Sequence, residues 1–534
     1  MELIRMPDFV RVESADGWSN TNEIGNSWRA GNGVQVDIQI GDGRSAIYLM
    51  SPMQPVKRLH LRWAGKPADR PVRLLGDHWE RSYGDLEWRG IVAERVMPWY
   101  FLVNGERGTF GYGVMTGANA LCWWMVDNAG VSLYLDVRNG GQGVKLGERS
   151  LKVADISGYR GSEEESAYSC ARNLCRILCP NPALPQYPVY GGNNWYYAYG
   201  ESSHARMLED SRFMAGLSDH PNRPFMVIDD GWQLSGGGMY CNGGPWVGNA
   251  DHPDMSKLAA QMKEAGVRPG VWFRPLLTTE KVPAGWKRLF ANGVTTLDPS
   301  VPEVLEYVAD AIRAMRSWGF ELIKHDFSTF DLLGQWGHQA KMNISAMQTG
   351  FVDDSRTTAE IMNRFYSTIA DASEDTLIIG CNTVGHLAAG KFEIQRTGDD
   401  TSGRNWERTR RMGVNTLAFR MPQHGTFFAC DADCVGLTPD IPWYYNQQWL
   451  ELLANSGTPL FVSADPGSVG PEQLQELKKA FSQAATRLKE AEPLDWLDNA
   501  CPTEWQLEDR KVQYDWYGLE GVRLYGTSDE VWWK

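Results

Sequence analysis

The sequence predicts a multidomain α/β and β chain: an N-terminal β-sandwich, a central (β/α)8 barrel of the TIM type and a short C-terminal β region. Three observations predict it. Apolar and polar residues alternate repeatedly over the first 180 positions, strand–helix units take over after a proline-spaced segment, and alternation returns from about Asp495. A chain of 534 residues also exceeds one ordinary domain, which agrees with this division.

In the first region, 1–180, Val34, Val36, Ile38 and Ile40 alternate with Gln35, Asp37 and Gln39, the period of a half-buried strand. Val131, Leu133, Leu135 and Val137 repeat the pattern, and turns such as Gly41-Asp42-Gly43 and Asn139-Gly140-Gly141 separate such runs. Many short strands of this kind predict a sandwich. No catalytic constellation is visible there, so its expected work is packing and shaping one side of a cleft. Pro180, Pro182, Pro185 and Pro188 then mark a linker.

Over 189–485 short apolar strands alternate with amphipathic helices. The expected strands are 189–193, 225–228, 269–273, 322–323, 376–380, 392–394, 416–419 and 459–462. One representative helix starts at Pro302, a good first-turn residue, carries Val304, Val308, Ile312 and Met315 on one face, and ends at Trp318-Gly319. Eight such units over about 290 residues are what a (β/α)8 barrel requires. An open doubly wound sheet would want a phosphate-binding Gly-rich first turn, which the chain does not offer. In the tail, 490–534, Val512, Tyr514 and Trp516 alternate, followed by Val522 and Leu524, a segment short enough to need the barrel as support.

Composition excludes several classes of partner. The net charge of −14 argues against nucleic acid and anionic membrane surfaces. No apolar run approaches the roughly 20 residues of a membrane helix, and the first residues lack a signal-peptide layout. Nine cysteines, an odd number spread through a large chain, fit a reducing cytoplasm better than a disulfide framework. A homo-oligomer is compatible with all of this. The 23 tryptophans include several in polar surroundings, such as Asn193-Asn194-Trp195 and Gly231-Trp232-Gln233. Sugar rings stack their C–H faces on indole and need amides and carboxylates for their hydroxyls, although tryptophan also simply fills cores.

Polar residues gather where the expected strands end, which in a barrel is the catalytic face. In order they are Asn193-Asn194-Trp195; Asp229-Asp230-Gly231-Trp232; Trp272 and Arg274; Lys324 and Asp326; Cys381-Asn382; Arg396-Thr397-Gly398-Asp399-Asp400; Asp431 and Asp433; and Ser463 with Asp465. Two readings compete for these carboxylates. A divalent metal would suit the Asp clusters, but Lys324 and Arg396 would repel it, and Cys175/Cys179 and Cys430/Cys434 lack the further ligands zinc needs. Glycoside hydrolysis needs one carboxylate nucleophile and one protonated acid. Lys324 would favour an ionised Asp326, and mutual repulsion within Asp399-Asp400 should raise one of the two. No cofactor or metal enters this second reading.

Phe225-Met-Val-Ile-Asp-Asp-Gly-Trp232, Lys324-His-Asp326 and Arg396-Thr-Gly-Asp-Asp400 together resemble the motifs of the α-galactosidase clan, most nearly glycoside hydrolase family 36 in its melibiase and raffinose-synthase-like branch. The resemblance covers the barrel and implies a retaining α-galactosidase acting on a small-molecule or oligosaccharide α-galactoside. It implies Asp326 as nucleophile and Lys324 as a sugar-hydroxyl ligand. Asp229 and Asp230 match the pair that reads the 4- and 6-hydroxyls of galactose, and Asp399, ahead of Asp400, matches the acid/base. Arg396 resembles the arginine before that carboxylate, and Asp431-Ala432-Asp433 the branch's Asp-Trp-Asp segment. Trp195, Trp232, Trp272, Arg274, Asn382 and Asp433 complete the expected substrate-binding set. His325 stands where the family usually has an aromatic residue, and the fifth strand end departs from the family pattern, which leaves the sugar's 2-substituent, and with it an N-acetylgalactosaminide, open. Transfer to another sugar uses the same machinery. A catalytically silent carbohydrate-binding protein is the alternative from another class; loss of Asp326 or Asp399 would have favoured it.

Overall fold

A computed structural model describes residues 2–67, 71–235, 241–290, 293–345 and 349–522. The first region forms two antiparallel sheets, of six and eight strands. Strand Gln35–Gly41 buries Val36 and Ile38, and Gly130–Asp136 buries Val131, Leu133 and Leu135, as their alternation requires. The region is not β throughout. Ala167–Leu178 is a helix, capped by the Ser166 hydroxyl, which accepts from Ser169 N at 3.1 Å. Its buried Cys170, Leu174 and Leu178 recur every four residues, a helical period that the strand reading overlooked. Gly111 and Gly113 make room for it, since a Cβ on either would meet Leu174 or Leu178 at 2.7 or 2.5 Å.

The remainder is organised around a nine-stranded sheet in which every neighbouring pair is parallel. From one edge its strands are Ala429–Asp431, Ile394–Arg396, Leu377–Gly380, Leu322–His325, Arg268–Phe273, Phe225–Ile228, Tyr190–Asn193, Leu460–Ala464 and Cys434–Leu437. The two edge strands are consecutive in the chain, separated only by Ala432 and Asp433, so the sheet curls until both edges lie on one stretch of backbone. Asp433 makes the break with a φ of 70°, which side chains other than glycine adopt at a cost. The strand residues are almost wholly buried, as expected of a parallel sheet covered on both faces.

Seven of the eight expected strands are present within a few residues of their expected bounds. The remaining one, the seventh at 416–419, is a correction: Thr416–Arg420 is helical, continuing a helical stretch that begins with Trp406–Thr409, and the strands lie later, at Ala429–Asp431 and Cys434–Leu437. Thr416, Leu417, Ala418, Phe419 and Arg420 are all buried, so the segment has no polar face from which a helical period could be read. Helix Pro302–Ser317 buries the four residues expected of it. In the tail, Glu492–Pro493, Glu504–Leu507 and Arg510–Gln513 form a small antiparallel sheet. Trp516 beyond it is buried, and its carbonyl accepts from Trp406 Nε1 at 2.8 Å, which ties the tail to the main body. Val522 is exposed and Leu524 lies outside the described residues.

Candidate active site

A cavity of about 300 Å³ lies at the C-terminal ends of the parallel strands. Of the residues expected from sequence, Trp195, Asp229, Asp230, Trp272, Lys324, Asp326, Asp399 and Asp400 line it.

Asp326 follows strand Leu322–His325, and its backbone N–H still donates to Phe273 O at 2.9 Å, extending the sheet to the cavity. Its carboxylate is held at both oxygens. Trp272 Nε1 donates to Oδ2 at 3.0 Å and Phe327 N to Oδ1 at 2.7 Å. Phe327 has a φ of 63°, so the chain turns sharply away just after presenting the carboxylate. Trp232 Nε1 in turn donates to the Trp272 carbonyl at 3.0 Å.

On the wall formed by the first, second and fourth strands, Lys324 Nζ lies 2.6 Å from Asp229 Oδ2, which also accepts from Asn193 Nδ2 at 2.7 Å. Burial alone would push Lys324 down, but the carboxylates around it, Asp229 foremost and then Asp326, outweigh it and hold the ammonium well above its ordinary range. Among the described residues Asp230 has no such cation. It accepts from Gln233 Nε2 at 2.7 Å and Asn242 Nδ2 at 2.9 Å. Burial, with the neighbouring Asp229 and Asp326 charges, pushes its carboxyl up to about 6 against those two amide bonds.

The opposite wall is cationic. Asp399 is gripped at both oxygens, Oδ1 by Arg81 Nη2 at 2.8 Å and Oδ2 by Arg408 Nη2 at 2.8 Å. Asp400 Oδ1 accepts from Arg396 Nη2 at 3.1 Å, with Arg81 Nη1 at 3.6 Å. Burial would raise Asp400, but Arg396, Arg81, Lys324 and Arg408 together bring its carboxyl down to about 2. The repulsion expected to raise a member of this pair is therefore outweighed at Asp400.

Five expected residues do not line the cavity. Trp232 backs Trp272. Arg274 is fully buried, pairs with Asp331 at 2.6 Å and donates to the Asn242 side chain, so it braces Asp230 at one remove. Asn382 caps the Ser328–Leu333 turn of helix by accepting from Thr329 N at 3.1 Å. Arg396 and Asp433 form a buried pair at 2.7 Å, and Asp433 also accepts from Tyr196 OH and, at 2.8 Å, from Thr401 N. These polar groups sit at strand ends but point into the packing behind the cavity.

Arg81, Tyr196, Tyr199, Asn242, Phe327, Trp336 and Thr401 line the cavity and were not expected. The aromatic run after Asn194 could have indicated Tyr196 and Tyr199. Nothing local marks Arg81, which comes from the β-rich first region. Among the described residues no group of three or more His, Cys, Asp or Glu is placed to hold a metal ion, and no helix is long and apolar enough to cross a membrane.

No sequence-family model matches the chain. Solved structures do. TtGalA, an α-galactosidase from Thermus thermophilus in complex with p-nitrophenyl α-D-galactopyranoside, is 16% identical, with 94% of this chain and 98% of that one covered and a TM-score of 0.61. The fold is that of the GH36 α-galactosidases. A doubly substituted variant of the GH36 α-galactosidase AgaA from Geobacillus stearothermophilus, in complex with raffinose, is 15% identical over 94% of this chain and 79% of its own, at a TM-score of 0.62. The α-galactosidase from Lactobacillus brevis is 14% identical, covering 89% and 72%, at 0.55. At such identities the likeness is one of fold, and the residues must carry the chemistry.

Proposed function

We propose that the chain is a retaining glycosidase that removes terminal α-galactose by double displacement. The curled sheet is read as a (β/α)8 barrel, 189–485, whose seventh strand is broken at Ala432-Asp433, set between a sandwich at 1–180 and a tail at 490–534. The observation that carries the proposal is the pairing within one cavity of an anchored, solvent-reachable Asp326 with Asp400, beside the Asp229–Lys324–Asp230 wall. Proteins of this fold bound to stachyose and raffinose supply the substrate class.

In this reading Asp326 attacks the anomeric carbon, its lone pair forming the new C–O bond as the glycosidic C–O bond breaks. The leaving oxygen takes a proton from the acid. Water, deprotonated by the same group, then displaces Asp326 and releases the sugar. Asp400 is assigned as that acid in preference to Asp399, which requires that the bound sugar lift its carboxyl from the value of about 2 that it has in the open cavity. Both Asp399 oxygens are engaged by guanidinium groups, whereas Asp400 Oδ2 takes no hydrogen bond from a described residue. Asp230, Asp229 and Lys324 would read the sugar hydroxyls.

The test is release of nitrophenol from a panel of α- and β-linked nitrophenyl sugars, with Asp326→Ala and Asp400→Ala alongside. Turnover of the α-galactoside is expected. Asp326→Ala should abolish it, and Asp400→Ala should slow raffinose hydrolysis by roughly 10²–10⁴-fold, more than it slows the nitrophenyl substrate. Wild-type activity in either variant would overturn the mechanism, and a silent panel would turn attention to transfer onto acceptor sugars.

A further inference from the structure

We infer that Arg81, contributed by the first region of the chain, is a positioning residue for the catalytic acid, so that the segment before the parallel sheet completes the active site. The inference rests on the assignment of Asp400 as the acid.

Three observations meet at this residue. First, Arg81 reaches both members of the pair, Asp399 Oδ1 at 2.8 Å and Asp400 Oδ1 at 3.6 Å, while only 7% exposed. Second, its backbone is built into the site. Ser82 N donates to Thr397 O at 2.9 Å and Asp399 N donates to Ser82 O at 2.9 Å, so the Arg81 segment runs as a short parallel bridge beside the Arg396–Asp400 loop. On its other side Gly398 makes room for the following helix, since a Cβ there would meet Met412 O at 2.2 Å. Third, the segment is fastened on either side. Asp77 accepts from Arg420 Nη2 at 2.8 Å, Glu80 Oε1 accepts from Gly337 N at 2.8 Å, and the Arg81 guanidinium lies 5.2 Å from the ring centre of Trp336, another wall of the cavity. A cation fixed on an aromatic face and along its edge has little freedom to leave the carboxylates.

The electrostatic consequence falls on Asp400. The cations facing it are Arg396 from the sixth strand, Arg408 from the following helix, Lys324 from the fourth strand and Arg81 from the first region. Asp399 is its chain neighbour; Asp433 shares Arg396 with it; and Tyr196, Tyr199 and Cys381 are the other titratable groups that feel its charge. Arg81 is the one cation of the four that the barrel does not supply. Removing its charge should make Asp400 easier to protonate, while a residue that merely staples the two regions together would change activity without moving a pH profile.

The experiment compares Arg81→Met, Arg81→Gln and Arg81→Lys with the wild-type full chain. It records kcat against pH, which reads the enzyme–substrate complex, for raffinose and for 4-nitrophenyl α-galactoside, with thermal melting as a control for folding. The basic limb for raffinose should move up by roughly one pH unit in Arg81→Met and Arg81→Gln and stay in place in Arg81→Lys. The nitrophenyl limb should move less, because that leaving group departs with little protonation. Unmoved limbs in both neutral variants would overturn the inference, as would an equal shift in Arg81→Lys. Asp400→Asn separates this from failure of the underlying reading. A wild-type basic limb in Asp400→Asn means that Asp400 is not the acid, whereas its disappearance there with an unmoved limb in Arg81→Met removes only the role of Arg81.

Discussion

Asp229-Asp230 and Asp399-Asp400 are the same dipeptide on two walls of one cavity, and their second carboxyls are driven in opposite directions. Asp230 meets two side-chain amides and its own like-charged neighbours, and burial carries it up to about 6. Asp400 is half-buried and partly desolvated as well, yet four cations from four segments bring it down to about 2. Burial is therefore common to both, and the countercharge decides. That countercharge is distributed. Lys324 is bonded to Asp229 at 2.6 Å and leaves Asp230 with neutral partners, whereas Arg396 reaches Asp400 from within its own loop and Arg81 from outside it.

Lys324→Met should break this contrast most severely, because Lys324 belongs to both walls. It would strand Asp229 in the interior without its ion-pair partner. Removing one member of a buried pair costs about 3–5 kcal/mol, so urea unfolding at pH 7 should show a loss of that order together with loss of galactoside binding. A loss below about 1 kcal/mol would mean that the pair is solvated rather than buried.

Asp230→Asn tests the other wall at smaller cost. As an ionised acceptor Asp230 would bind a sugar hydroxyl more strongly than its protonated form would. With its carboxyl at about 6, affinity for galactose should weaken as pH falls through that value. The asparagine variant should bind roughly tenfold or more weakly at pH 7 and lose this pH dependence, measured by calorimetry between pH 5 and 8. A variant whose affinity still titrates near 6 would place the titrating group elsewhere.

Much of this site was legible because parallel strands end at its rim. Short buried runs followed by Asp, Lys or Trp located Asp229, Asp230, Trp272, Lys324 and Asp326 to the residue, since a strand's last side chains have few places to go. The limits were equally physical. Residues 416–419 have the apolar character of a strand but belong to a helix buried on all sides, where periodicity is silent. Arg396 and Asp433 lie at strand ends yet pair with one another behind the cavity, Arg396 meeting it only through Asp400, and only packing shows this. Arg81 lies more than 300 positions before the carboxylates it touches, and no local pattern joins them.

His325 sharpens the comparison from between its two termini. It sits in sequence between Lys324 and Asp326, but strand alternation points it the other way, against Phe365, Tyr366 and Phe392 at ring separations of 5.8, 6.1 and 5.5 Å. It is a case of burial with no countercharge, and burial alone pushes it down to about 3. The unfolded chain protonates this imidazole near 6.5 and the folded one does not until about 3, so stability is intact above 6.5 and lost progressively as pH falls between those values. At pH 5 the loss from this residue is roughly 2 kcal/mol. His325→Phe restores an aromatic residue in an aromatic pocket and removes the proton site. It forfeits the contact with the Ser328 hydroxyl, a cost present at every pH. The difference in unfolding free energy between pH 7 and pH 5 cancels that cost, and it should shrink by about 2 kcal/mol in the variant. His60, His252, His386 and His424, each pushed by burial to about 4, would sustain the remainder. An unchanged difference would show that His325 takes up its proton in the folded state, which requires a charge partner that the strand's alternation directs away from it.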